Sequence, residues 1–229
     1  MLLCVVGDVD PEAVANMARQ VLGTEKKSVA EKAPFAPEPM EAKEKERVCA
    51  MEVAMPMFNL AFKCEALGKG DDAIREEMVA DLAAEVLFGE SSQLYLKLYE
   101  EGIIDSSFGG GFESIDGMAL LLCSGDSYES DRIREALIEQ AQKIVRDGIP
   151  ADAFPRMKRS AFGRRIRDLD SFDSTCFRLC AYHLSDFDYF DFPAVYSPIE
   201  PAEVQEFLNR VVRKDRCSLS LINPLKEDL

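Results

Sequence analysis

The sequence predicts an α+β fold: a sheet of about five to six antiparallel or mixed strands, covered by helices in a two-layer α/β sandwich. Three observations carry this. Some segments alternate apolar and polar residues with a period of two, and others repeat apolar residues every three to four positions. The two kinds follow one another in the order β-α-β-β-α-α-β-β-α-α-α-α-β. The chain has 229 residues, 47% of them hydrophobic, enough to bury a substantial core.

The first segment, LLCVVGD, is a short apolar run closed by Gly7-Asp8 and reads as a buried strand. A helix follows, with Asp10 as N-cap, Pro11 at its first position and Gly23 as its stop. Residues 24–47 are rich in Lys, Glu, Ala and Pro and read as a flexible charged linker. Two strands come next, RVCAMEVA and FNLAFKCE. In the second, Phe58, Leu60, Phe62 and Cys64 alternate with Asn59, Ala61, Lys63 and Glu65. Ile74, Met78, Leu82 and Val86 then mark a helix ending at Gly89, and a shorter one spans Ser91 to Glu101. IIDSSFGGGFES and GMALLLCSG read as paired strands turning near Ile115–Gly117, the second apolar enough to be central. From Tyr128 the chain is mostly helical, with an aromatic-acidic turn at DFDYFDFPAVY, and RCSLSLINP closes it as a strand. The whole reads as one domain, 1–229. Its start directly on a strand suggests a piece of something longer.

Composition excludes several classes. A net charge of −15 opposes nucleic-acid binding by repulsion. No apolar run approaches the ~20 residues that span a bilayer, and MLLCVV is too short for a signal sequence. Seven cysteines, an odd number lying mostly in apolar patterns, read as reduced, buried thiols of a cytoplasmic protein. The single histidine, His183, rules out a two-histidine metal site and leaves nucleophile–histidine catalysis without a partner at workable spacing. Cys176, Cys180 and His183 share one helix face, but a structural zinc site needs a fourth ligand that does not stand out. With Phe172, Leu179, Leu184 and Phe187 they read as a buried apolar stripe containing thiols. The basic run Arg156, Lys158, Arg159, Arg164, Arg165, Arg167 reads as a solvated helix face paired with nearby acids, or else as a wall gripping an acidic peptide or partner. Gly109, Gly110 and Gly111 match neither phosphate-binding glycine pattern. They mark a bulge or the close approach of another backbone, or they leave bare backbone for a bound peptide.

Three segments in this order resemble the C-terminal half-module of the insulinase-like (pitrilysin-type) zinc metallopeptidases, the group that includes the mitochondrial processing peptidases. They are LLCVVGDVDPEAV, AMPMFNLAFK after a charged linker, and LAAEVLFGESSQLYLKLYEEGIIDSSF. The resemblance covers nearly the whole chain. It implies the companion of a catalytic half that carries a His-x-x-Glu-His helix. That motif is absent here, so no residue of this chain is expected to be catalytic, and zinc is expected only in the other half. The implied partners are the catalytic half-module or a partner subunit, and a peptide substrate enclosed between the halves. Catalytically competent relatives often supply an arginine and a tyrosine near Gly89–Ser114. Here Tyr99 stands in place of the arginine, and Asp105 or Ser106 lies near the tyrosine position. The residues expected to contact substrate are Ser91, Ser92, Tyr99, Asp105, Gly109, Gly110 and Gly111. The same fold could instead serve as an interaction or scaffold module without proteolysis.

Overall fold

The computed structural model describes residues 2–22, 38–115 and 117–225. Five strands form one mixed sheet: β1 (Glu46–Met51), β2 (Met57–Cys64), β3 (Gly109–Ile115), β4 (Met118–Asp126) and β5 (Cys217–Pro224). Their order is β1-β5-β2-β4-β3. Only β1 and β5 run parallel; β2 lies antiparallel to both β5 and β4, and β3 antiparallel to β4.

The alternation in β2 works as the pattern demands. Phe58, Leu60, Phe62 and Cys64 are buried on one face, beside Ala119, Leu121 and Cys123 of β4 and Cys217 and Leu219 of β5. The opposite face is wetter, and Lys63 there donates to Glu38 at 2.5 Å and to the Pro39 carbonyl at 3.0 Å.

Helices cover the buried face. α1 (Pro11–Leu22) stands apart, with no buried residue. α2 (Asp71–Phe88) is the central helix, with Met78, Leu82, Ala83 and Leu87 fully enclosed. α3 (Gln93–Glu100) starts on Ser92 and ends at Gly102, whose φ of 69° is the left-handed conformation that glycine closes a helix with. α4 (Ser130–Asp147) buries Ile133, Leu137, Ala141 and Ile144, the face its spacing predicts. α5 (Ala153–Arg167), α6 (Phe172–Leu184) and the short α7 (Phe192–Tyr196) precede α8 (Pro201–Val211), which buries Val204, Phe207, Leu208 and Val211.

The observed structure departs from the sequence reading in five places. Leu2–Val6 is not a strand: it is held beside α6, where the Cys176 thiol donates to the Cys4 carbonyl oxygen at 3.3 Å. Most of the linker at 24–47 falls outside the described residues. The part that is described is held against β5 by Ala42 N–H to the Asp215 carbonyl and by the Ser218 hydroxyl to the Glu44 carbonyl. β3 begins at Gly109 rather than near Ile103, because Ile103 and Ile104 are buried in the turn that closes α3. The aromatic-acidic turn contains α7. Finally, α6 does not bury the whole expected stripe. Thr175 and Tyr182 face inward, while Phe172 and Leu184 are exposed and Cys176 and Cys180 are half-buried. The anchor is Tyr182, whose hydroxyl is drawn to Glu77 and Arg165 and so sets the rotation of the helix.

Candidate functional site

β3 is an edge strand. It pairs with β4 on one side and, among the described residues, with no strand on the other. Beside it opens a groove of about 640 Å³, lined by Gly109, Gly110 and Gly111, by Ser91 and Tyr95, and by charged side chains of α2 and α5.

The three glycines differ. A Cβ built on Gly110 would meet the Leu122 carbonyl oxygen at 2.1 Å, so the close approach of β4 requires glycine there. A Cβ on Gly109 or Gly111 would meet nothing within 4 Å. Neither has a positive φ, so the backbone conformation does not require glycine either. Gly110 is explained by the sheet. Gly109 and Gly111 leave open space on the groove.

The other expected contact residues are spread around this groove. Ser91 is exposed and lines it. Ser92 is 1% exposed and turned inward, accepting from the Tyr95 N–H at 3.1 Å as the N-cap of α3. Tyr99 is half-exposed outside the groove lining and stacks on Tyr95 with ring centroids 5.8 Å apart. Asp105 is exposed. It accepts from the Ser107 N–H at 2.7 Å, and hydrogen bonds from Ser107 hold its carboxyl below the ordinary aspartate range. The fold thus brings Ser91 and the glycines together, and ties Ser92, Tyr99 and Asp105 to the helix and turn that support them.

The basic run was expected to pair with nearby acids or to form a wall; which acids it meets was not evident from the sequence. Arg164 pairs with Glu85 at 2.5 Å. Arg165, only 7% exposed, pairs with Asp81, reaches Glu77 at 3.5 Å and donates to the Tyr182 hydroxyl at 2.9 Å. Arg178 pairs with Asp168. Burial pushes the Asp81 carboxyl up despite the Arg165 guanidinium beside it. Burial alone would loosen the Arg165 proton, but Tyr182 and Asp81 outweigh it and hold it more firmly. The basic run is therefore not a uniform solvated face: Arg165 is buried, and Lys158 donates to the Ser197 and Ile199 carbonyls at 2.7 Å each. Each groove arginine already has an acid partner, and Glu90 also lines the groove, so the wall is close to neutral with a slight acidic excess. A sequence signal for it existed. Glu77, Asp81 and Glu85 recur every four residues, the last two the sole charged residues in the apolar half of the helix that follows Glu77, and such a row of acids must face either water or bases.

A hydrolytic zinc centre does not fit these residues. The chain has one histidine, and among the described residues no group of three or more His, Cys, Asp or Glu side chains is arranged to hold a metal ion. No helix of the described residues is long and apolar enough to cross a membrane.

Residues 1–161 match the model of a protein family described as the peptidase M16 inactive domain. The chain is 28% identical over 237 residues to an uncharacterized zinc protease, YmfH, of Bacillus subtilis, covering 98% of this chain and 53% of that protein. A putative M16-like peptidase from Alicyclobacillus acidocaldarius superposes with a TM-score of 0.85 at 20% identity, over 95% of this chain and 52% of that one. A protease from Helicobacter pylori superposes with a TM-score of 0.78 at 15% identity, over 96% and 54%. The chain spans about half the length of each of these relatives.

Proposed function

Since the chain belongs to the peptidase M16 inactive-domain family, as its C-terminal half-module, we propose that it acts as the zinc-free companion of a catalytic half. It closes a peptide-enclosing chamber and offers β3 as an edge on which an extended peptide lies. The observation that carries this reading is the pair Gly109 and Gly111. They sit on a strand edge that is unpaired among the described residues, and each leaves vacant the space a side chain would fill. Strand addition draws affinity from main-chain hydrogen bonds, which a bare glycine edge and a charge-balanced wall both favour. Ser91 is proposed to contact the peptide directly. Ser92, Tyr99 and Asp105 are proposed to act through the α3 start and the turn into β3. Zinc and the hydrolytic step belong to the other half, and the pair works in the cytoplasm.

The test is fluorescence anisotropy of a labelled peptide of about ten residues, long enough to cover the seven of β3. The wild-type chain is expected to bind it saturably, and Gly109→Val with Gly111→Val to lose most of that binding while still folding. Binding unaffected by the two valines would reject the β3 edge. Peptide hydrolysis is expected only when a half carrying His-x-x-Glu-His is added. Tight pairing of the halves with no peptide binding would favour the scaffold role instead.

A further inference from the structure

Cys4 meets two cysteines at least 172 positions away in sequence. Cys176 and Cys180 lie one turn apart on α6, and the Leu2–Val6 segment runs alongside. The Cys176 thiol donates to the Cys4 carbonyl oxygen at 3.3 Å, which seats Cys4 against the helix face that carries both thiols. All three are half-buried, unlike the enclosed Cys64, Cys123 and Cys217 or the exposed Cys49. A cavity of about 560 Å³, lined by Leu2, Leu3, Cys4, Leu179 and His183 among others, opens beside Cys4, and the partial exposure of Cys176 and Cys180 leaves them open to a small oxidant.

We propose that Cys4, Cys176 and Cys180 form a redox-sensitive staple, in which a peroxide joins Cys4 to one of the two α6 thiols and fixes the Leu2–Val6 segment to α6. The two helix thiols are poorly placed to join each other. Side chains four apart on a helix stand ~5–6 Å apart at Cβ, wider than the ~3.5–4.5 Å of a disulfide. Cys4 approaches from outside the helix and is the partner that both can share. The chemistry balances in two steps. A helix thiolate attacks one peroxide oxygen, the O–O bond breaks, and the thiol proton leaves with the other oxygen as water, giving a sulfenic acid. Cys4 sulfur then attacks the sulfenic sulfur, the S–O bond breaks, and a second water departs with the Cys4 proton. Two thiols lose two electrons and the peroxide gains them. The staple would hold in place a stretch that has no strand partner among the described residues. The third thiol, left beside the new bond, can exchange into it and move the Cys4 link from one helix cysteine to the other.

The experiment treats the full chain with dilute hydrogen peroxide, blocks the remaining thiols, and maps tryptic peptides without reduction. Trypsin cuts after Arg178 and so puts Cys176 and Cys180 on different peptides. The expected result is loss of two of the seven thiols and a cross-link from the Cys4 peptide to the Cys176 or Cys180 peptide. That cross-link should be reversible by dithiothreitol and absent in Cys4→Ser. A Cys176–Cys180 link, chain dimers through Cys49, or over-oxidised single thiols with no cross-link would each overturn the proposal. The wild-type map does not depend on whether the Cys4→Ser variant folds.

Discussion

A Cβ placed on Gly110 would stand 2.1 Å from the carbonyl oxygen of Leu122 and 2.6 Å from the Cα of Cys123, both backbone atoms of β4. No side-chain rotation relieves such a contact, so Gly110→Ala must push the edge strand off its neighbour. Overpacking of this kind costs about 1–3 kcal/mol, and backbone contacts belong at the upper end. At Gly109 and Gly111 the added methyl meets open space at an ordinary φ. There alanine mainly restricts the unfolded chain and is expected to be neutral or stabilising by up to ~1 kcal/mol. Urea unfolding of the three alanine variants should therefore give opposite signs within one tripeptide. Equal losses at all three positions would show that the groove does not explain the outer pair.

The two serines at the start of α3 separate in the same way. Ser92 is buried and caps the helix through the Tyr95 N–H, whereas Ser91 is exposed at the groove. Ser92→Ala is expected to lower stability by about 1 kcal/mol. Ser91→Ala should stay within about 0.5 kcal/mol of wild type and change only peptide affinity. Denaturation midpoints of both variants decide this. A large loss for Ser91→Ala would move it from contact to support.

Arg165 binds α5 to both α2 and α6. Replacing it with methionine leaves Asp81 and Glu77 without their cation and the Tyr182 hydroxyl without its donor. Removing one member of a buried pair costs ~3–5 kcal/mol, and the lower end applies because the Asp81 side chain keeps 38% exposure. Adding Asp81→Asn removes the carboxylate left without its cation and should recover part of the loss. A double variant no more stable than Arg165→Met alone would mean that Asp81 does not depend on Arg165.

The elements legible in the sequence were those whose signal is local. The β2 alternation, the α4 face, the Pro11 start of α1 and the Gly89 stop of α2 all lie where pattern and caps put them. The failures involve non-local partners. Nothing inside LLCVV says whether a strand edge is within reach, and nothing inside α6 says that Tyr182 will turn toward Glu77, 105 positions away. The candidate site divides similarly. The glycine run is visible as a motif, but its place on an edge strand follows from the order β1-β5-β2-β4-β3, which depends on pairings across the whole chain. The acid row of α2 and the bases of α5 were each readable; that they meet was not.

The clearest pH dependence comes from Glu203, at the start of α8. Its carboxylate accepts from Arg75 Nε at 2.9 Å, from a second Arg75 nitrogen at 2.9 Å and from the Glu200 N–H at 2.8 Å, joining α2 to the N-terminus of α8. Burial alone would raise this carboxyl, but the Glu200 N–H and the Arg75 guanidinium outweigh it, and its value falls below the ordinary 4.5. A carboxylate held lower in the folded than in the unfolded chain stabilises the fold fully above the unfolded value. That contribution fades as pH drops through the lower, folded value. Glu203→Gln removes the charge and with it this part of the acid sensitivity. Urea midpoints taken from pH 6 down to about 3 should show the variant below wild type at the top of the range, with the two converging at the bottom. A gap that stays constant with pH would mean that the Arg75 contact stabilises by packing and hydrogen bonding alone, with no contribution from the depressed carboxyl.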